Sequence, residues 1–310
     1  MRTTRRSVAA LLLATTLWGA SSAFIAAFGT AGFASASPVA AGGALAVLFL
    51  ATLRGEQPWR IFTTDIRLYM YLGALEAVNL ALYSAALRMG PLPVVVALHL
   101  TAPVMIICAA VAKQRRRMNW TAAVELVLVI CAIVLVTGRP PNMVAPFRVL
   151  LSCALALGSA GCVALLITTV ARESRYHRGV SSAGFQLATA AILGLPLVAV
   201  TPPSPAVSVE LIVVGAIFLG PGFVVYWWAL RTIDSTVAGM IGLNEAVSAS
   251  VIGAVLIGGR PTVPVIGAGF LVLIAVGLEA RTASGRGVPQ RRTRCIERHP
   301  CRRWEFRPHC

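Results

Sequence analysis

The feature that most constrains this chain is a succession of apolar runs, each long enough to cross a bilayer. A transmembrane helix needs roughly 20 predominantly apolar residues. Cutting the 310-residue sequence at its arginine clusters, prolines and polar turns leaves ten such runs, at about 8–28, 34–53, 68–87, 92–112, 120–137, 149–170, 180–200, 209–230, 237–257 and 263–280. Composition agrees: 57% hydrophobic, 12% charged and a mean hydropathy of +0.80 are too apolar for a soluble domain. The same values exclude a disordered chain, a disulfide-rich secreted module and a typical cytosolic enzyme. A formal charge of +16 first suggests nucleic acid. A phosphate-binding groove, however, needs a polar surface around it, and here the cations occupy short connections and the two ends. The expected protein is an all-α polytopic membrane protein with no nucleic-acid partner.

Lys and Arg are retained on the cytoplasmic side of short loops. Alternate connections hold Arg2, Arg5 and Arg6; Arg54, Arg60 and Arg67; Lys113, Arg115, Arg116 and Arg117; Arg172, Arg175 and Arg178; Arg231; and the nine arginines of the tail. The intervening ones hold only Arg88, Arg139, Arg148 and Arg260, so 23 of the 27 cations fall on one side. An even number of spans with both termini cytoplasmic, in the plasma (cell inner) membrane, satisfies this distribution. The first run resembles a secretory signal, with a basic start and Ala34-Ser35-Ala36 as a cleavage-like site. At about 21 residues it exceeds the usual apolar core of about 7–15, and it is expected to remain as a span.

Self-similarity organises the rest. Tyr83-Ser84-Ala85-Ala86-Leu87-Arg88 returns as Tyr226-Trp227-Trp228-Ala229-Leu230-Arg231, 143 residues later. The same ungapped offset places Val94 on Val237, Leu100 on Leu243, Val104 on Val247, Arg117 on Arg260 and Leu128 on Leu271. Runs three to five therefore map onto runs eight to ten, and each half has five helices. Five is odd, so the halves cross in opposite directions, as in secondary transporters with inverted repeats around a midplane site. The expected organisation is a cytoplasmic start at 1–7, a first five-helix repeat at 8–137, a linker at 138–148, a second repeat at 149–280 and a basic, disordered cytoplasmic tail at 281–310.

Ionisable groups at membrane depth cost about 2.5–3.5 kcal/mol each and mark function by default. Glu245 lies in the ninth run with Asn244 and Ser248 within about one turn. Either this carboxyl meets water and solute, or it is protonated and bonded to a neighbouring helix. Glu76, Asn79 and Tyr83 share one face of the third run, and Tyr226 repeats Tyr83 in the eighth. Such tyrosines either line a cavity or anchor at the interface. His99 stands one turn before Pro103, which should kink the fourth run; the imidazole either carries protons or packs. Gly220-Pro221-Gly222 is a second expected break. Trp18, with Ser21 and Ser22, is a candidate lining residue of the first run, although small hydroxyls also pack helices. Glu125 reads as a structural pairing residue. Cys108, Cys131, Cys153 and Cys162 read as buried small apolar residues. The tail, with Cys295, Cys301, Cys310, His299 and His309, has no recognised zinc spacing, so neither a metal site nor a cofactor is expected; its basic residues suit anionic headgroups.

These features together resemble the EamA family of the drug/metabolite transporter superfamily. The resemblance covers about residues 8–280. It is carried by Leu17-Trp18-Gly19-Ala20-Ser21, by Tyr83-Ser84-Ala85-Ala86-Leu87 followed by a turn and the run containing Pro103, and by Asn244-Glu245. Gly73 to Tyr83, Val94-Val95-Val96-Ala97-Leu98 before Thr101-Ala102-Pro103, and Cys153 to Gly158 are most similar to its threonine/homoserine exporter branch. The chain departs from the family at Glu245-Ala246, where a Glu-Pro pair is usual, at Gly258-Gly259-Arg260, where a Gly-Glu turn is common, and at His99, where the branch tends to carry an acid. What the resemblance implies is a proton-coupled exporter of small polar metabolites or amino acids, its partners being a small-molecule solute, protons and membrane lipids. Import and lipid-precursor translocation use the same architecture. A membrane-embedded enzyme is the rival class, but no HExxH, GxSxG or P-loop pattern occurs.

Overall fold

A computed structural model describes residues 2–27, 32–90, 92–112, 146–177, 180–233 and 235–256, with isolated positions between 120 and 134 and between 263 and 278. All regular structure among the described residues is helical. In chain order it comprises α1 (Arg2–Ala27), a 3-10 turn (Phe33–Ser35), α2 (Ala36–Leu53), α3 (Pro58–Thr64), α4 (Ile66–Met89), α5 (Leu92–His99) and α6 (Ala102–Ala112). There follow α7 (Pro146–Glu173), α8 (Ser181–Val200), α9 (Pro205–Val214), a π-helical turn (Gly215–Leu219), α10 (Gly220–Ala229), α11 (Ser235–Gly242) and α12 (Asn244–Leu256). Among the described residues, seven helical stretches are long and apolar enough to cross a membrane: Arg6–Ala27, Phe33–Leu53, Ile66–Met89, Phe147–Glu173, Ser181–Val200, Pro205–Ala229 and Val237–Leu256. This is the make-up of an integral membrane protein, in which a helix satisfies its own backbone groups where lipid cannot. The seven correspond to runs one to three and six to nine. The fifth and tenth runs, Glu125, the Lys113–Arg117 cations, residues 138–145 of the linker and the tail at 281–310 lie outside the described residues, apart from a few isolated positions.

The break expected at Pro103 divides the fourth run into α5 and α6, separated at Leu100 and Thr101. Two other expectations need correction. Gly220-Pro221-Gly222 does not break the eighth run: the missing Pro221 donor is absorbed by the preceding π turn, where Gly220 N–H reaches back five residues to the Gly215 carbonyl. The cysteines are not buried; Cys108 and Cys131 lie on the outside of the bundle and Cys153 and Cys162 are half-buried.

Small residues let the helices approach closely, as packing in lipid requires. A Cβ on Gly42 of α2 would land on the Ile212 carbonyl of α9, and one on Gly215 would land on the Val39 carbonyl of α2. Gly73 of α4 faces Thr189 and Ala190 of α8, and Gly19 of α1 faces the Glu245 carbonyl and Ser248 of α12. Substituting Leu for Gly42 or Gly215 is expected to cost about 1–3 kcal/mol through overpacking. Gly161→Ala, where nothing lies within 4 Å of the added carbon, should stay within about 0.5 kcal/mol of the parent; thermal melts in detergent give the comparison.

At one end of the bundle Glu56, just after α2, closes the start of α8. Its carboxylate accepts from Val180 N (2.8 Å), Ser181 N (2.9 Å) and Ser181 Oγ (2.6 Å). Partial burial, the largest single influence, pushes the Glu56 carboxyl up. The Ser181 hydroxyl and the two backbone N–H groups, with nearby Arg54, outweigh it together and hold the carboxyl below its ordinary value. A lowered carboxyl stabilises the fold fully above its unfolded value and loses that contribution as pH falls through the folded one. Glu56→Ala should cost about 0.5–2 kcal/mol near neutral pH, as loss of a helix cap does. The gap from the parent should begin to close as pH falls below the ordinary carboxyl value of about 4.3 and narrow further with acidification, read as the difference in unfolding temperature between the two proteins.

Candidate functional site

The helices line a partly open cavity of about 90 Å³. A water needs about 10–15 Å³ of such space, so this one has room for several waters or one small metabolite. Two interrupted helices meet at it. In the first, α5 ends at His99 and α6 starts at Ala102, with Thr101 N–H reaching only to the Leu98 carbonyl (3.1 Å). In the second, α11 ends at Gly242 and α12 starts at Asn244, with Leu243 N–H bonded to Met240 (3.1 Å). Pro103 explains the first break, because it has no N–H to give the carbonyl four residues back, that of His99, and its ring would clash with that carbonyl in a continuous helix. Leu100 and Leu243 are 143 residues apart. His99, Pro103, Gly242 and Glu245, which flank the two breaks, all line the cavity.

The second break explains how Glu245 is tolerated at this depth. It lies near the middle of the apolar stretch Val237–Leu256 and, because of the break, in the first turn of α12. Unpaired N–H groups and the macrodipole make a helix start a favourable place for an acidic side chain. Glu245 is 7% exposed. Its polar contact among the described residues is the Ser22 hydroxyl, 3.4 Å from Oε1, which leaves Oε2 without a protein partner. Ser22 in turn accepts from Tyr83 Oη (3.0 Å), and its single proton also has the Trp18 carbonyl within 3.0 Å.

Glu76 is held quite differently. At 2% exposed it accepts from Asn79 Nδ2 at Oε1 (3.2 Å) and from Gln186 Nε2 at Oε2 (3.3 Å). Gln186 Oε1 accepts from Trp227 Nε1 (2.9 Å). Asn79 Oδ1 accepts from Ser159 Oγ (2.7 Å), which lies 2.8 Å from His99 Nδ1. Ser159 has one proton and gives it to Asn79, so His99 donates through Nδ1 and keeps the lone pair on Nε2. The His99 ring packs on Tyr83 with centroids 4.3 Å apart. One chain of polar contacts thus joins α5, α7, α4, α8 and α10.

Of the residues singled out by sequence, Trp18, Glu76, Asn79, Tyr83, His99, Tyr226 and Glu245 line the cavity, as does Pro103. Asn244 and Ser248 turn away toward α1. Asn244 Nδ2, with two protons to give, has three acceptors within reach, Leu12 O (3.2 Å), Thr15 Oγ1 (3.0 Å) and Thr16 Oγ1 (2.9 Å), and Ser248 donates to Thr16 (3.4 Å). Residues four apart share a helix face while adjacent ones diverge by about 100°, so this pair and Glu245 divide between two surroundings. Gly222 packs on the Trp18 indole, and Gly220 approaches Gly43 of α2. Trp18 also meets Tyr226 and Phe223 at ring distances of 4.8 and 5.0 Å. Trp18 Nε1 and Tyr226 Oη are buried with no hydrogen-bond partner among the described residues. Sequence reading missed Gln186, Ser159 and Trp227. Gln186 carried a usable signal, an amide inside an otherwise apolar run; Ser159 carried none, because small hydroxyls occur throughout packed helices.

No protein-family model and no curated protein sequence matches the chain. Solved structures do. One crystal structure of a protein superposes with a TM-score of 0.68 at 18% identity, covering 93% of this chain and 99% of the other. At that identity the likeness is one of fold, and it extends over nearly the whole of both molecules.

The two kinds of polar group in this site should respond oppositely to deletion. Gln186→Leu leaves Glu76 and the Trp227 indole each short of a partner, and should lower stability by about 1–3 kcal/mol. Tyr226→Phe removes a hydroxyl that has no partner and should leave stability unchanged or raise it. Both are read from thermal melts of the purified protein.

Proposed function

We propose that this chain is a secondary active transporter of the drug/metabolite transporter superfamily, of EamA type. In this reading it exports small polar metabolites, amino acids among them, by proton-coupled alternating access. The observation that carries the proposal is the pair of helix interruptions, at Leu100–Thr101 and Leu243, which are related by the sequence repeat and border one cavity. Transporters of inverted-repeat design form their sites from such discontinuous helices near the bilayer midplane.

Packing supports a division into two halves. The contact of α1 with α12 has a counterpart in that of α7 with α5 and α6, and the contact of α4 with α7 has one in that of α10 with α1. The contact of α4 with α8 is matched by that of α9, the π turn and α10 with α2, while α2 and α8 meet each other. Gly73 and Gly215, 142 residues apart, make the two equivalent close approaches. On this reading the fifth and tenth runs complete two five-helix repeats of opposite orientation. The cation distribution supports an orientation with both termini in the cytoplasm, and the plasma membrane is the location proposed with it.

Rocking of the halves would expose the cavity to each side in turn. Glu245, with an unpartnered oxygen, is the group that exchanges a proton or a solute amine; Glu76 and His99 are secondary. Direction follows the gradients, since a carrier runs either way. Glu245→Gln should abolish proton-coupled flux in proteoliposomes while the variant keeps its elution profile and melting behaviour. Normal coupled flux from a folded Glu245→Gln protein would remove the assignment.

A further inference from the structure

We infer that the cavity selects small net-cationic amines over zwitterionic amino acids, with the ammonium at Glu245 and a neutral oxygen of the same molecule at Tyr226. This rests on the reading of the cavity as the transport site. The cavity wall carries two carboxyl groups, Glu76 and Glu245, and no Lys or Arg among its described lining residues. A buried charge needs a partner of opposite sign, and among the described residues the protein supplies none here.

The two acids are not equivalent hosts. Both Glu76 oxygens already accept from amides, whereas Glu245 Oε2 is open and its other oxygen has one long contact. An ammonium brings three N–H donors, enough for Glu245 and a neighbouring acceptor. The adjoining wall is aromatic, with Trp18 against Tyr226 and Phe223; ring faces attract a cation, and more so in a desolvated site. An independent observation concerns Tyr226 itself. Tyr226 is 5% exposed, lines the cavity, and its hydroxyl has no partner among the described residues. That hydroxyl suits a carbonyl or hydroxyl oxygen. A carboxylate in the same place would lie among two like-signed groups with only neutral donors to answer it, an arrangement that like-charge juxtaposition penalises.

The test uses three molecules that differ at one group: L-threonine, L-threoninamide and 1-amino-2-propanol, which is threonine without its carboxylate. Their affinities for the purified full-length protein are measured by calorimetry at slightly acidic pH, and each is then tried in counterflow. The amide and the amine should bind at least about tenfold more tightly than threonine, and Glu245→Gln should erase that preference while Glu245→Asp keeps it. Threonine binding as tightly as its amide, a preference that survives Glu245→Gln, or no binding of either cation would each overturn the inference. Cation binding without counterflow of any solute would uphold the selectivity and remove the transporter reading. Counterflow of threonine without binding of the amines would do the reverse.

Discussion

A carboxyl group inside an apolar helical bundle has to be compensated, and the centre of this molecule is arranged around two of them. Glu76 is compensated by amides: Asn79 and Gln186 each donate to one oxygen, and both amides are themselves anchored, by Ser159 and Trp227. Glu245 is held more loosely: it lies in the first turn of α12, where a helix start favours an acidic side chain, and among the described residues it accepts one long hydrogen bond, from Ser22 (3.4 Å). The first solution makes a rigid brace and the second leaves an oxygen facing a cavity. The proposed transport chemistry depends on that difference.

The interruptions also account for where the cavity lies. A continuous helix at 92–112 or 237–256 would present the same side-chain surface along its whole length and pack closed. Ending α5 at His99 and α11 at Gly242 lets the wall change direction there, and Gly239 of α11 lies against Pro103 of α6 beside the gap. Elsewhere the bundle is tightened by glycines at α2, α4, α8 and the π turn. Outside the apolar layer, Glu56 ties the end of α2 to the start of α8 with three hydrogen bonds. In the proposed alternating-access cycle, such a tie would hold one end of the bundle together.

The sequence by itself determined that the chain is helical, where seven of its long apolar helices run and which few residues could not be left in lipid. Each is a local property: the length of an apolar run against the thickness of hydrocarbon, and the cost of an ionisable group within it. Most of the polar residues named on that basis do line the cavity. Tertiary structure alone decided that Glu245 faces it while Asn244 and Ser248 bond to α1, that Pro221 is absorbed by a π turn, and that Gln186 and Ser159 complete the polar network. Those outcomes depend on how each helix is rotated against its neighbours and which donor arrives from another helix. A pattern read along one helix carries no record of either.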